Sequence, residues 1–330
     1  DSNIPEGDGS ESNPYQISNS SQLFWFAQQV NNERKTSISA VLTADIVVNE
    51  NVLNADGTLN SGSILTEWTP IGNYSNKYTG IFDGQNHTIS GLYFNDENTN
   101  YVGLFGYNSG TIKNVGIINS YFKGSDSVGG VCGDNFGKIE NSYNNGTVSG
   151  TSSDVGGVCG SNGGTIENSY NTGSISGSYQ YVGGVCGYNG DTIKNSYNTG
   201  SVSGSTWVGG VCGYNISGTI ENSYNTGSVS GSEIVGGVCG SIYYGTVENS
   251  YNIGLVSGET NGGVCGFNNG TIKNTYYLET CNANGTTFTN NEGTEKTSEQ
   301  FSSGEVAYLL QSEQETEIWG QEIGKDKSPI

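Results

Sequence analysis

Residues 183–204 read GGVCGYNGDTIKNSYNTGSVSG, and variants of this stretch return about every 27 residues. The segment Gly-Gly-Val-Cys-Gly occurs six times and sets a column at Cys132, Cys159, Cys186, Cys212, Cys239 and Cys265. A second segment, Ile-Glu/Lys-Asn-Ser-Tyr-Asn with its variants, sets a column in phase at Asn114, Asn141, Asn168, Asn195, Asn222, Asn249 and Asn274. A repeat of fixed length indicates that the chain builds one structural unit many times.

Each 27-residue unit predicts one coil of a parallel β-solenoid (β-helix), so the expected fold class is all-β. The unit holds three short runs of β-branched or aromatic residues, separated by Gly, Asn and Ser as turns require. Coils stack about 4.8 Å apart, so seven of them predict a column roughly 34 Å long. A propeller blade needs about 40 residues or more, which is longer than this unit.

The two ends differ from the repeats and predict caps. Residues 20–32 favour a short amphipathic helix with Ser20 or Ser21 as its N-cap, and residues 297–311 favour another helix. Terminal caps keep exposed strand edges from pairing with other chains. We therefore expect an N-terminal cap with the first, degenerate coils over residues 1–100, a repeat solenoid over 101–278 and a C-terminal cap over 279–330.

Composition and charge exclude several classes of protein. Lys plus Arg number 11 and Asp plus Glu number 32, and the resulting net charge of −21 argues against nucleic-acid binding. A membrane-spanning helix needs about 18 consecutive apolar residues, and no apolar run approaches this length, so we expect no membrane insertion. The chain starts at Asp1 and holds no Met, so we expect Asp1 to follow a removed export signal or a cloning boundary.

In-register stacking gives the two columns structural interpretations. Stacked Asn side chains predict an amide ladder. Stacked Cys residues lie within disulfide range of each other, but parallel side chains suit a disulfide poorly, and a ladder of small buried thiols is the favoured alternative. Tetrahedral metal sites need convergent ligands, which a line of cysteines does not supply, so we expect no metal and no cofactor. Cys281 stands outside the column and could be free or pair with Cys265.

A set of aromatic residues occupies the variable positions between the fixed columns. These positions map to bends and exposed faces of a solenoid, where rings can stack on sugars or anchor a protein partner. The alternative is that the rings only shield bends and hydrophobic flanks. The candidate ligand-binding residues are Tyr179, Tyr181, Tyr188, Trp207, Tyr214, Tyr243 and Tyr244.

Catalytic chemistry finds little support in the sequence. A zinc peptidase helix needs two histidines, and the chain holds only His87, for which a structural hydrogen bond is the expected role. Glycoside cleavage needs clustered carboxylates. No group of acids that recurs from repeat to repeat is formed by Asp126, Asp134, Asp154 and Asp191. We therefore expect no catalytic residues and no enzyme.

The repeats resemble the GLUG motif family, most closely at Gly103-Leu-Phe-Gly106. The flanking segments Asn13-Pro-Tyr-Gln-Ile-Ser-Asn19, Trp68-Thr-Pro-Ile-Gly72 and Phe82-Asp-Gly-Gln-Asn-His-Thr-Ile-Ser-Gly91 are also similar to that family, and the resemblance covers roughly residues 13–320. It implies a secreted or surface-attached bacterial protein, of the kind found among adhesins and as appendages of immunoglobulin-A-specific metalloproteases. Cys departs from the Val or Ala that such repeats more often carry at this position.

These observations predict a non-enzymatic extracellular β-solenoid that serves as a surface adhesin module or as a rigid stalk. Its expected partner is a host glycan, an extracellular protein or copies of itself. A self-assembling extracellular filament subunit and a glycan-cleaving β-helix enzyme are the two alternatives.

Overall fold

The computed structural model describes residues 3–285 and 287–330, and it confirms the predicted fold class. The chain is a parallel β-solenoid of about ten turns with about 27 residues per turn. Strands of successive coils pair parallel and in register, as Ile139 does with Ile166 and Tyr143 with Tyr170. The repeat in the sequence is therefore the repeat in space, and equivalent residues form straight columns along the axis.

Within the described residues the strands form three sheets. The largest sheet contains Tyr15–Ile17, Ala40–Leu42, Ile46–Val47, Ile81–Ser90, Phe105–Asn108, Thr111–Ile118, Cys132–Asn135, Lys138–Glu140, Tyr143–Asn144, Cys159–Asn162, Thr165–Glu167, Tyr170–Asn171, Cys186–Asn189, Thr192–Lys194, Tyr197–Asn198, Cys212–Ile216, Thr219–Glu221, Tyr224–Asn225, Cys239–Asn252, Cys265–Leu278 and Thr294–Lys296. The second contains Tyr93–Asn95, Tyr121–Gly124, Thr147–Gly150, Ile175–Gly177, Val202–Gly204, Val229–Gly231 and Val256–Ser257. The third contains Val155–Gly156, Gln180–Gly183, Thr206–Gly209, Ile234–Gly236 and Thr260–Gly262.

A typical coil holds five short strands instead of the three expected from the sequence. The run Thr165–Asn171 is one predicted strand in the sequence, but it divides at Asn168, which has a left-handed φ of 49°. The Val-Gly-Gly-Val-Cys run divides in the same way, into Val155–Gly156 and Cys159–Asn162. These extra bends were not visible in the sequence because Asn and Gly occur both in bends and within the runs.

The core is a set of stacked aliphatic columns. Val131, Val158 and Val185 are fully buried, and so are Ile139 and Ile166. Each column repeats in the neighbouring coils, so one continuous hydrophobic cluster extends from the N-terminal helix to Phe288. A single coil cannot exclude water from both its open sides, so burial depends on its neighbours.

Two amide ladders run through this core, and the sequence analysis did not distinguish them. In the first, each Nδ2 donates to the Oδ1 of the next coil over 2.8 Å, through Asn108, Asn135, Asn162, Asn189 and Asn215. In the second, the same bonds span 2.8 to 2.9 Å, through Asn144, Asn171, Asn198, Asn225 and Asn252. All ten side chains are fully buried, so every amide bond is shielded from water.

A stack of tyrosine rings follows one flank of the column. Neighbouring rings lie 4.8 to 5.0 Å apart between centroids and within 5° of parallel, through Tyr143, Tyr170, Tyr197, Tyr224 and Tyr251. The separation equals the coil rise, because each ring occupies the same position in its coil.

The N-terminal cap contains the predicted helix, α1, over Ser20–Asn31. Its N-cap is Asn19 and not Ser20 or Ser21: the Asn19 side chain accepts a hydrogen bond from the Gln22 N–H at 3.0 Å. Leu23, Phe26 and Val30 are fully buried on one face, as the periodicity predicts. The helix therefore covers the apolar end of the first coils.

The C-terminal region contains two helices where the sequence predicted one. Helix α2 covers Ser298–Ser302 and begins with a capping box at Thr297, and helix α3 covers Glu305–Gln311. Gly304 separates them with a left-handed φ of 87°. Phe301, Val306, Leu310 and Trp319 pack on Tyr251 and Tyr276, so the helices cover a flank of the last coils.

Candidate functional site

Two columns of variable residues lie side by side next to the cysteines. The first column consists of the residues that come directly before a set of in-register valines: Val102, Val128, Val155, Val182 and Val208. The second follows the cysteine column and pairs in register between coils. We call the surface they form the aromatic–carboxyl face, defined by Tyr101, Tyr107, Asp134, Asp154, Tyr181, Tyr188, Trp207 and Tyr214.

Four of the predicted ligand-binding residues meet on this face. The Tyr181 ring lies 4.8 Å from Tyr214, 5.2 Å from Trp207 and 6.0 Å from Tyr188 between centroids. All four side chains are half-buried, which leaves part of each ring open to solvent.

The other three predicted residues are exposed nearby, Tyr243 and Tyr244 in the strand Cys239–Asn252 and Tyr179 at a bend. Tyr243 and Tyr244 contact each other at 4.3 Å between centroids and are 37% and 69% exposed. Tyr179 is 55% exposed. Of the seven predicted residues, Tyr179 lies at a bend, and the other six lie within strands with part of each side chain exposed.

A second aromatic cluster, absent from the sequence analysis, lies three coils closer to the N-terminus. The Tyr107 ring stacks on Phe136 at 5.5 Å and lies 5.9 Å from Tyr101. Lys77 Nζ lies 4.8 Å from the Tyr107 ring centroid and 5.2 Å from that of Tyr74, a cation–π arrangement. Tyr101 and Tyr107 come from different columns, so the repeat spacing alone did not indicate this cluster.

Carboxyl groups occupy the two coils between the aromatic clusters. Asp126, Asp134 and Asp154 do not recur in the repeat, but the fold brings them close enough that the Asp126 charge acts on the other two carboxyl groups. Burial, and then the charges of Asp126 and Asp134, raise the pKa of Asp154 to about 8. Burial and the Asp126 charge also raise the pKa of Asp134 to about 6, and its buried Oδ1 has no hydrogen-bond partner. Asp191 lies elsewhere and bonds to the Thr192 hydroxyl.

This arrangement predicts that Asp154→Asn stabilises the protein at alkaline pH. Ionising a carboxyl whose folded-state pKa is raised penalises the folded state, so the penalty grows from about pH 4 to about pH 8 and then stays constant. One pKa unit corresponds to about 1.4 kcal/mol, so the variant should gain a few kcal/mol at pH 9 and almost nothing at pH 4. Asn also tolerates the left-handed φ of 62° at this position.

Urea unfolding of both proteins between pH 4 and pH 9 measures this difference. Asp191→Asn is the matched control, because it removes one exposed carboxyl group outside this cluster. Parallel profiles for wild type and Asp154→Asn would show that Asp154 ionises normally.

The predicted Asn column has a role in backbone geometry. All seven residues adopt left-handed φ values between 47° and 56°, which Asn tolerates better than other residues that carry a Cβ. Bonds between neighbours in this column join Asn141 to Asn114 at 3.2 Å and Asn274 to Asn249 at 2.7 Å. Asn222 instead donates to Gln314. The expected amide ladder is therefore limited to two pairs here, and the continuous ladders are the two in the core.

The predicted Cys column lies directly beneath the aromatic–carboxyl face. All six side chains are fully buried free thiols, and so is Cys281, which is not joined to Cys265. Each thiol of the column contacts the carbonyl two residues further along its own strand, for example Cys159 Sγ to Ser161 O at 2.9 Å. Burial is the main cause that raises the pKa of Cys132 and Cys159, and the nearby Asp134 charge adds to it.

Other candidate chemistry is sparse in the part of the chain that the structure describes. His87 Nδ1 lies 3.1 Å from Asp45 Oδ1 at the surface, in a contact of the structural kind expected for it. Among residues 3–285 and 287–330, no three or more His, Cys, Asp or Glu side chains converge as metal ligands. None of the helices described has the length and apolar character needed to cross a bilayer.

Comparison with known proteins supports the repeat assignment. The family model described as the GLUG motif matches residues 151–176, 178–203 and 204–230. A "Putative Gly-rich membrane protein" of Evansella cellulosilytica is 35% identical over 117 residues, which are 35% of this chain and 12% of that protein. Halomucin of Haloquadratum walsbyi is 32% identical over 133 residues, which are 38% of this chain and 1% of that protein. The alignments thus span only a small part of either relative.

A solved structure shares the fold over nearly the whole chain. The crystal structure of a "putative immunoglobulin A1 protease" from Bacteroides ovatus superimposes with a TM-score of 0.62, covering 98% of this chain and 94% of that one. Identity is 22%, so the likeness concerns the architecture. The repeats matched by the family model are the stacked coils of this architecture, and the resemblance inferred from Gly103-Leu-Phe-Gly106 and its flanks is confirmed. Three consecutive repeats of this chain, within residues 151–230, are repeats of the GLUG motif.

Proposed function

We propose that this chain is a non-enzymatic, extracellular adhesin module that binds saccharides through its aromatic–carboxyl face. The solenoid supplies a stiff support, and the face supplies the contacts. Names of relatives that refer to a membrane protein and to halomucin favour a location at the cell surface.

The observation that carries this proposal is the choice of residues at a strained backbone position. Five consecutive residues of the first column have left-handed φ values between 52° and 62°: Tyr101, Ser127, Asp154, Tyr181 and Trp207. Three of the five are aromatic rings. Bulky residues rarely adopt this conformation, which costs on the order of 1 kcal/mol or more for each residue. The other left-handed column uses Asn in all seven coils. Rings retained where Asn or Gly would fit more easily indicate selection for contact with a ligand.

The chemistry of the face suits a sugar. The half-buried rings of Tyr181, Trp207 and Tyr214 offer apolar surface for the C–H face of a saccharide. The carboxyl groups between the clusters can hydrogen-bond its hydroxyls. The two aromatic clusters are three coils apart, or about 14 Å, which is the length of a short oligosaccharide rather than of a single ring. A polymeric glycan therefore fits the face better than a free monosaccharide.

Replacing Tyr181 and Trp207 together with Ala should remove binding without unfolding the coils. The rings are half-buried on the surface, and the backbone conformation is no more strained with Ala. Aromatic hot spots contribute about 2 kcal/mol or more, so affinity should fall at least about tenfold. A glycan array identifies the ligand, and calorimetry with that glycan measures the loss.

The control for this experiment is Tyr308→Ala. Tyr308 is 81% exposed on α3, outside the aromatic–carboxyl face, so its removal should not alter glycan affinity. Equal losses in both variants, or no glycan bound by the wild type, would contradict the proposal that this face binds saccharides.

A glycan-cleaving enzyme is the second candidate, favoured by the carboxyl groups alone. The pKa of Asp154 is raised to about 8, so this group stays protonated at neutral pH and can donate a proton to a glycosidic oxygen. Release of reducing sugars from the glycan that the array identifies, abolished by Asp154→Asn, would replace the binding proposal with this one.

The filament alternative fits less well. Helix α1 covers the apolar end of the first coils. The opposite end carries mainly exposed polar residues at 283–285 and 289–295. A net charge of −21 further disfavours the association of copies.

A further inference from the structure

The cysteine column is a buried chemical group for which the proposed function has no use. Its six members are in-register partners across five consecutive strand pairs. Every thiol is fully buried and free. A column of aliphatic side chains would fill the same space, so packing alone does not explain why these residues are cysteines.

The register that aligns the thiols also hinders disulfides. In-register partners keep their Cβ atoms about one strand spacing apart, near 4.8 Å. A disulfide needs the two Cβ atoms at about 3.8 Å. Closing this gap would pull two coils about 1 Å together, against backbone hydrogen bonds on either side, such as Cys159 N–H to Val185 O at 3.0 Å.

The same spacing fits a metal ion that takes two ligands in line. A metal–thiolate bond is about 2.3 Å long, so two such bonds in line span about 4.6 Å. This nearly equals the strand spacing of about 4.8 Å, so an ion could lie between two neighbouring sulfurs with almost no movement of the coils. Zinc requires four convergent ligands, which one gap in the column does not offer. Soft cations are the ones that prefer thiolate sulfur.

We propose that neighbouring thiols of the column form two-coordinate sites for soft closed-shell cations, represented by Hg(II). Each Hg(II) forms two Hg–S bonds and displaces one proton from each thiol to solvent. The resulting complex has no net charge, which a dry core requires. Since each sulfur serves one ion, six thiols provide up to three sites, pairing Cys132 with Cys159, Cys186 with Cys212, and Cys239 with Cys265.

Two variants of the full chain test this arrangement. Both carry Cys281→Ala and three further Cys→Ala substitutions. The contiguous variant carries Cys212→Ala, Cys239→Ala and Cys265→Ala, which leaves three neighbouring thiols. The alternating variant carries Cys159→Ala, Cys212→Ala and Cys265→Ala, which leaves three thiols about 9.6 Å from their nearest partners. Titration with mercuric chloride is followed by sulfur-to-mercury charge-transfer absorption, by proton release and by mercury X-ray absorption.

We expect three Hg(II) ions with two sulfur neighbours in the Cys281→Ala protein, one in the contiguous variant and none in the alternating variant, whose isolated thiols can bind mercury through one sulfur only, with one proton released. Each ion with two sulfur neighbours should release two protons, while circular dichroism retains the β signal. Equal numbers of such ions in both matched variants, or binding only after the β signal is lost, would overturn the proposal. If a variant does not fold, Ser replaces Ala at the same positions, because its hydroxyl can keep the bond to the carbonyl two residues further along.

Discussion

Asn171→Ala is expected to destabilise the solenoid by at least about 3 kcal/mol, because four buried hydrogen bonds are lost at about 1 kcal/mol each. Asn171 Nδ2 donates to Gly173 O at 2.9 Å and to Asn198 Oδ1 at 2.8 Å. Its Oδ1 accepts from Asn144 Nδ2 at 2.9 Å and from the Gly173 N–H at 3.2 Å. Water cannot replace these bonds in a fully buried ladder, so the loss should exceed that of an ordinary polar substitution.

Guanidinium unfolding followed by circular dichroism measures this effect. Asn145→Ala is the matched control, because Asn145 is exposed and makes one side-chain bond between coils, to Thr172 Oγ1 at 3.0 Å. Its replacement should change stability by no more than about 0.5 kcal/mol. Similar losses for the two variants would mean that the ladder contributes little to the cohesion of the coils.

Gly209→Ala is expected to prevent correct stacking of the coils. A Cβ at this position would lie 1.9 Å from the Cys212 carbonyl oxygen and 2.6 Å from the Gly240 nitrogen. Both atoms belong to the backbone and are held by the sheet, so they cannot give way as a side chain can. Ordinary overpacking costs about 1–3 kcal/mol, and the destabilisation here should be larger. We expect the variant to be insoluble or unfolded.

Gly190→Ala separates this steric effect from the general loss of a glycine. A Cβ there would meet nothing closer than 3.6 Å, at the Asn162 carbonyl oxygen. Thermal unfolding of purified Gly190→Ala should match wild type within a few degrees, whereas Gly209→Ala should yield little folded protein. A soluble Gly209→Ala protein with the wild-type melting temperature would show that the coils can separate locally at no cost.

The coil architecture could be predicted from the sequence because its period is also the period of the structure. Ile139 and Ile166 are 27 residues apart and become direct partners, so spacing alone identified the parallel pairing. The amide ladders were harder to identify, because the outer Asn168 and the inner Asn171 are the same residue type three positions apart. The motif Asn-x-Gly was the usable signal, since Asn171 bonds to Gly173 within its own turn.

The carboxyl cluster could not be predicted because its members come from different columns of different coils. Asp134 follows the cysteine of one coil, whereas Asp154 precedes the glycines of the next. Only the folded bends bring the two columns side by side. A search for repeated acids therefore misses a site that is assembled once, from residues that do not repeat.

Stacking of the coils also has a mechanical consequence. The backbone bonds and amide ladders between coils lie parallel to the column axis, so tension on the two ends would strain one coil boundary at a time. Each released coil of about 27 residues would extend to roughly 90 Å, against a folded rise of about 4.8 Å. A chain tethered at one end and loaded at the other would therefore lengthen in large discrete steps, dissipating work while the remaining coils keep their shape.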